Sequence, residues 1–220
     1  MENFRRCFEL LQEGDADGLR RILELDPEAS EALDTAGVSL LMHSLYRGRR
    51  DLAELIASQK KKLDVFEASA LGRLDHLEPL VDSPSVDTQL IDSRSGDGFT
   101  ASHFACFFGH PKVVQWLIER GASVNAVAAN PTQVMPLHSA ASARNLEAAR
   151  LLLEHGALVN ARQQAGWVPI HAAAQNGDPA MVELLLERGA DRMLANDQGK
   201  TPAMVAREKG HHDIAALLEG

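Results

Sequence analysis

Apolar positions fall in short bursts at helical spacing, and the bursts come in pairs. Met181, Val182, Leu184, Leu185 and Leu186 follow the 3.6-residue period of a helix that Gly189 ends. Ahead of them Pro169 stands where a first helical turn tolerates a missing donor, and Gly177 closes that earlier helix. The preceding segment NARQQAG, Asn160 to Gly166, carries the Asn and Gly signals of a chain reversal. The predicted unit is a helix, a tight turn, a second helix and a hairpin-like loop.

That unit repeats. Stretches beginning at Phe99, Val134, Trp167 and Lys200 align so that His103, His138, His171 and Met204 share one column, at spacings of 35, 33 and 33 residues. Fainter copies upstream place Met42, Phe66 and Phe8 in the same column, which gives seven units with successive spacings of 34, 24, 37, 35, 33 and 33. The spacing of 24 leaves no room for an ordinary hairpin between the second and third units. A unit of this size cannot bury its own apolar face, so neighbours must stack into one continuous core. Each buried Leu of a run such as Leu151 to Leu153 stabilises the stack by roughly 1.5–3 kcal/mol, and small residues such as Ala140, Ala141 and Ala172 to Ala174 let adjacent helices approach.

MPLHSAA, VPIHAAAQNGD, LLLEHGALVNA and LLLERGAD resemble the ankyrin repeats, whose motif is T-P-L-H-x-A at a period of about 33 residues. The likeness is strong from Gly98 to Gly220 and weak before Ser95. The stretches FEASALGRLDHLEPLV and DGFTASHFACFFGH are also similar to stand-alone bacterial ankyrin proteins. Ala101 and Ser102 replace the motif Pro and Leu, Arg144 replaces a turn glycine, and Met204 replaces the last histidine. The resemblance implies an all-α solenoid forming a single domain over 1–220, with degenerate repeats in 1–95, three well-formed repeats in 96–199 and a capping repeat in 200–220. Polar residues in the first and last units, Glu9 to Glu24 and Arg207 to Asp213, suit the exposed ends of such an array.

Composition narrows the chemistry. A formal charge of −9 argues against a general nucleic-acid binder, because that affinity comes from Lys and Arg on phosphates. The run QKKKL, Gln59 to Leu63, reads as a solvated helix end. Cys7 and Cys106 have no metal-ligand or disulfide spacing, and Cys106 falls at a small-residue position where a buried, inert thiol is expected. The N-terminal stretch lacks the apolar core of a secretory signal, and nowhere do eighteen apolar residues run together; a soluble, cytoplasmic, monomeric protein away from membranes is expected.

Nine histidines raise a metal hypothesis, but the resemblance assigns His103, His138 and His171 to fixing turns, and His211 and His212 read as a solvated cap. No G-x-S-x-G elbow, phosphate-binding glycine loop or singled-out carboxylate pair is present, so no enzyme, cofactor or metal is expected. The resemblance implies a protein-interaction module that holds a protein or peptide on its concave face. Carried over by register, that face includes Tyr46, Arg47, Phe107, Phe108, Gln175 and Asn176 on the first helices, and Phe99 and Trp167 at loop tips. Five of the ten aromatic residues stand at these positions, which is the composition of binding hot spots. Packing of Phe107 or Phe108 against Leu71, and of Trp167 over its hairpin, is the competing account. The loop AVAANPTQV, Ala126 to Val134, is either a lid or a tolerated insertion. A second functional class is a ligand-binding or regulatory subunit that controls an associated enzyme, with the acidic outer face or the basic region Arg47 to Lys62 making the contact.

Overall fold

The computed structural model describes residues 2–81 and 90–220. Among the described residues the α-helices form seven pairs: α1 Glu2–Glu13 with α2 Ala16–Leu25, α3 Leu40–Tyr46 with α4 Arg50–Gln59, α5 Val65–Leu71 with α6 Leu74–Val81, and α7 Ala101–Phe107 with α8 Pro111–Glu119. Then follow α9 Pro136–Ser142 with α10 Leu146–Glu154, α11 Pro169–Asn176 with α12 Pro179–Glu187, and α13 Pro202–Glu208 with α14 His212–Glu219. First helices pack side by side from α1 through α13, while α8, α10 and α12 form a second layer. One apolar core runs between the layers from Cys7 to Leu218. Within the run Leu151 to Leu153 only Leu152 is fully buried, as a helix with one inward face requires.

The column histidines show why the units begin where they do. Nδ1 of His103, His138 and His171 accepts the backbone N–H of Thr100, Met135 and Val168 at 3.2, 3.1 and 3.2 Å. That contact fixes the tautomer, so Nε2 carries the proton and donates to a carbonyl of the next loop: Val134, Ala161 and Lys200, each at 3.0 Å. One ring thus ties a helix start to the following unit. Burial holds His103 and His138 neutral, with pKa values pushed down to about 4, and lowers His171 as well. Where the column lacks histidine, Ser39, Asp64 and Thr201 cap α3, α5 and α13 through their side-chain oxygens.

Asparagines repeat the device at the loops behind the second helices. The Asn125 amide donates to Gly156 O and accepts from Leu158 N, and Asn160 does the same with Gly189 O and Asp191 N. The loop at 126–134 is a strut: Ala129 N–H and the Asn130 side chain bond Gly98 O and Asp97 O on one side, and Thr132 O accepts from Gln164 N on the other.

Unit three is the irregular one. Residues 60–64 run directly from α4 to α5 without a hairpin, as the short spacing predicts. The hairpins on either side close over the gap. Gly96 lies so near the backbone of Ala36 and Gly37 that a Cβ there would overlap them.

Two local expectations need correction. Lys60 is not a solvated helix end: its side chain is 5% exposed, with Nζ 2.9 Å from Glu31 and 3.1 Å from the buried Glu67. Nor is His211 a free cap, since its Nε2 donates to Gln175 O at 3.2 Å across the unit boundary. His110 makes the equivalent bond to Ala70 O at 3.0 Å. These two rings sit where the turn glycines Gly72 and Gly177 would otherwise carry a Cβ.

Candidate functional site

The centre of the first-helix face is aromatic. α7 ends on Phe107, 51% exposed, and its capping residue Phe108 is half-buried against the core. Their rings meet edge to face at 5.2 Å. Phe108 also stacks on Tyr46, at the end of α3, with centroids 6.3 Å apart, and Tyr46 is 42% exposed. These residues belong to units four and two, and they touch because the small third unit has no hairpin between them.

The row continues toward the N-terminus. Tyr46 meets His43 at 6.3 Å, and His43 meets Phe8 of α1 at 5.2 Å. The Tyr46 hydroxyl donates to the Asp97 carboxylate, and burial together with that carboxylate raises the phenol pKa. His43 Nε2 bonds Asp34 Oδ2 at 2.7 Å. Burial would raise the Asp34 carboxyl, but the N–H groups of Val38 and Ala36 and the His43 ring hold it below the usual range. A cleft of about 690 Å³ opens beside this end of the row, between α1 and the 33–39 loop.

The expected site residues therefore divide. Tyr46, Phe107 and Phe108 come together, and exposed Arg47 reaches His43 Nδ1 at 3.5 Å. Phe99 and Trp167 do not join them: each partly buried ring leans on the histidine of its own unit, Phe99 on His103 at 5.6 Å and Trp167 on His171 at 5.3 Å. Gln175 is exposed, while the Asn176 amide is engaged in donating to Ala141 O and Ser142 O at 3.2 and 3.0 Å. Phe8, His43, Asp34 and Asp97 were not anticipated. His43 follows the column residue Met42 and Phe8 occupies the column itself, so register alone points to both.

Reactive groups are scarce. Cys7 and Cys106 are buried free thiols, with burial pushing Cys7 up to about 11 and Cys106 higher still. Such thiols do not form the thiolate that nucleophilic or redox chemistry needs. No cluster of three His, Cys, Asp or Glu able to hold a metal ion occurs among the described residues. Nor, among these residues, is any helix long and apolar enough to cross a membrane.

Stacked helical pairs, tied unit to unit by histidine and asparagine and bearing an open aromatic face, define a helical-repeat scaffold. The chain belongs to the ankyrin-repeat family: the model for ankyrin repeats (3 copies) matches residues 65–163 and 158–219. It is 37% identical over 138 residues to the B-cell lymphoma 3 protein homolog of Mus musculus, covering 63% of this chain and 31% of that protein. It is 36% identical over 131 residues to zinc finger CCCH domain-containing protein 24 of Oryza sativa subsp. japonica, covering 58% of this chain and 15% of that one. A serine/threonine-protein kinase, TNNI3K of Mus musculus, matches over 60 residues at 38% identity, 7% of its length. The chain thus spans less than a third of these relatives. Ankyrin repeats as a family mediate protein–protein interaction and are generally not enzymes.

Proposed function

We propose that this chain is a non-enzymatic interaction module that holds a protein or peptide partner on its concave face, with Phe107 as the central anchor and Tyr46, Arg47 and Phe108 beside it. The observation that carries this is the half-exposed Phe107 ring, braced at 5.2 Å by Phe108, which in turn stacks on Tyr46. A large ring held in place from one side and open on the other loses little conformational freedom on binding. Phe99, Trp167 and Asn176 support the face by fixing loops and unit boundaries. Gln175 stands at its C-terminal margin.

The regulatory-subunit alternative has two candidate surfaces, the acidic outer face and the basic region Arg47 to Lys62, and in the basic region the charges are mostly paired. Lys60 is buried with Glu31 and Glu67, Lys61 reaches Glu28, Arg49 pairs with Asp51 and Arg50 with Glu54. The test is capture from native extract with parent and Phe107→Ala protein. The variant keeps its helical signal and melting temperature but loses its partner, at about 30-fold weaker affinity for a 2 kcal/mol anchor. Undiminished recovery by a folded variant removes the claim.

A further inference from the structure

We infer that the cleft between α1 and the 33–39 loop is a second anchor point, one that accepts a basic peptide segment: a lysine or arginine flanked by an apolar side chain. The inference rests on the partner-binding reading above and names the chemistry of its N-terminal end. The cleft holds about 690 Å³, within the range of sites that take several side chains. Phe4, Phe8 and Leu33 supply its apolar surface; both phenylalanines are backed by the core and Leu33 is largely exposed. Phe8 is also the first ring of the aromatic row, so a segment seated here runs on toward Tyr46 and Phe107.

Charge decides the sign of the partner through the chain around the cleft. Of the residues lining the cleft, Glu9 and Asp34 are the carboxylates and Arg5 the lysine- or arginine-type cation; Glu9 is bonded to Arg5 at 3.0 Å and also to Arg6, just outside the cleft, at 3.1 Å, so the local charges are balanced and the excess comes from the surrounding chain. Asp34 faces the His43 ring and two backbone N–H donors that keep it ionised. Over residues 1–46, ten carboxylates stand against four arginines, so six of the nine excess negative charges of the whole chain lie in about its first fifth. A cation entering the cleft meets that field together with two phenylalanine rings in its lining, a combination that favours ammonium and guanidinium groups.

The experiment is a fluorescence-anisotropy titration of the full chain with a fluorescein-labelled heptapeptide alternating lysine and leucine, and with its glutamate-for-lysine counterpart. The basic probe is expected to bind saturably and more weakly as salt rises, and the acidic probe not to bind. Phe4→Ala, Asp34→Asn and Glu9→Gln should each weaken the basic probe about fivefold. Glu183→Gln on α12, an exposed carboxylate remote in the array, removes the same charge and should leave binding unchanged. Asp34→Asn removes the acceptor of two loop N–H groups; Glu9→Gln on α1 leaves the loop intact and breaks only exposed pairs to Arg5 and Arg6 within the same helix. Equal weakening by Glu183→Gln, comparable binding of the acidic probe, or no saturable binding overturns the proposal. The Phe107→Ala protein should bind the short probe like the parent; a loss there would place the probe elsewhere and overturn it too. Because partner capture reads Phe107 and the probe reads the cleft, the two claims fail separately.

Discussion

Replacing Gly177 by alanine tests the contact between turn and neighbouring unit most directly. Gly177 caps α11 in the left-handed region at φ +62, and an ideal Cβ there would lie 2.5 Å from His211 Nδ1 and 2.6 Å from Cε1. Two costs follow. The backbone strain of a side chain at positive φ is about 1 kcal/mol. The ring must also swing away, which breaks the 3.2 Å bond from Nε2 to Gln175 O and costs about 1–2 kcal/mol more. Gly109 provides the control, since it has φ +84 and nothing within 4 Å of a built Cβ, so Gly109→Ala incurs strain alone. Urea denaturation followed by circular dichroism should therefore show Gly177→Ala losing about 2–3 kcal/mol and Gly109→Ala about 1 kcal/mol. In a His211→Ala background the Gly177→Ala cost should fall to the control value, a coupling of about 1–2 kcal/mol. Equal costs for the two glycines, or no coupling, would refute the argument that a histidine of one unit dictates glycine in the unit before it.

Three further outcomes follow from the geometry. Acid should destabilise the array: His103 and His138 titrate near 4 when folded and 6.5 when free, so below pH 6.5 the unfolded chain binds the extra protons and stability falls toward pH 4. By pH 5 each histidine costs about 2 kcal/mol, while Asp64, whose folded pKa is raised to about 6, acts in the opposite direction and offsets about 1 kcal/mol; a urea midpoint that does not drop between pH 7 and pH 5 contradicts this. Lys60→Ala strips the buried Glu67 and Glu31 of their shared cation and should cost about 3–5 kcal/mol, whereas Lys62→Ala should be nearly neutral; similar melts for both would disprove the buried pairing. Arg144→Gly relieves a non-glycine residue at φ +57 but removes its bond to Asn176 O, so a change within about 1 kcal/mol of the parent is expected, and a loss above about 2 kcal/mol would make that inter-unit bond dominant.

The period and the helix pairs were legible because His103, His138 and His171 mark one column and the turn glycines another. The missing hairpin of unit three was legible as a short spacing. Its consequence was not: the stack of Tyr46 on Phe108 joins residues 62 positions apart across an intervening unit, and only the closing of hairpins over the gap brings them together. Phe99 and Trp167 could have been placed from sequence, since each precedes its histidine by four residues and leans on it along the same stretch of chain. Lys60 misled because a lysine run reads as solvated, whereas its partners Glu31 and Glu67 lie in different helical units and reveal themselves only in space.

A chain of stacked units ordinarily transmits stability from neighbour to neighbour, like a row of dominoes. Here the stack of Tyr46 on Phe108, the bond from Tyr46 to Asp97 and the approach of Gly96 to Ala36 add a link that skips one position. Units two, three and four are thereby cross-braced, while units five to seven remain linked in single file. Fraying that begins at the C-terminal units can advance one unit at a time only as far as that brace, where three units must give way together; the half-exposed Phe107 is mounted at the edge of the segment best protected against it.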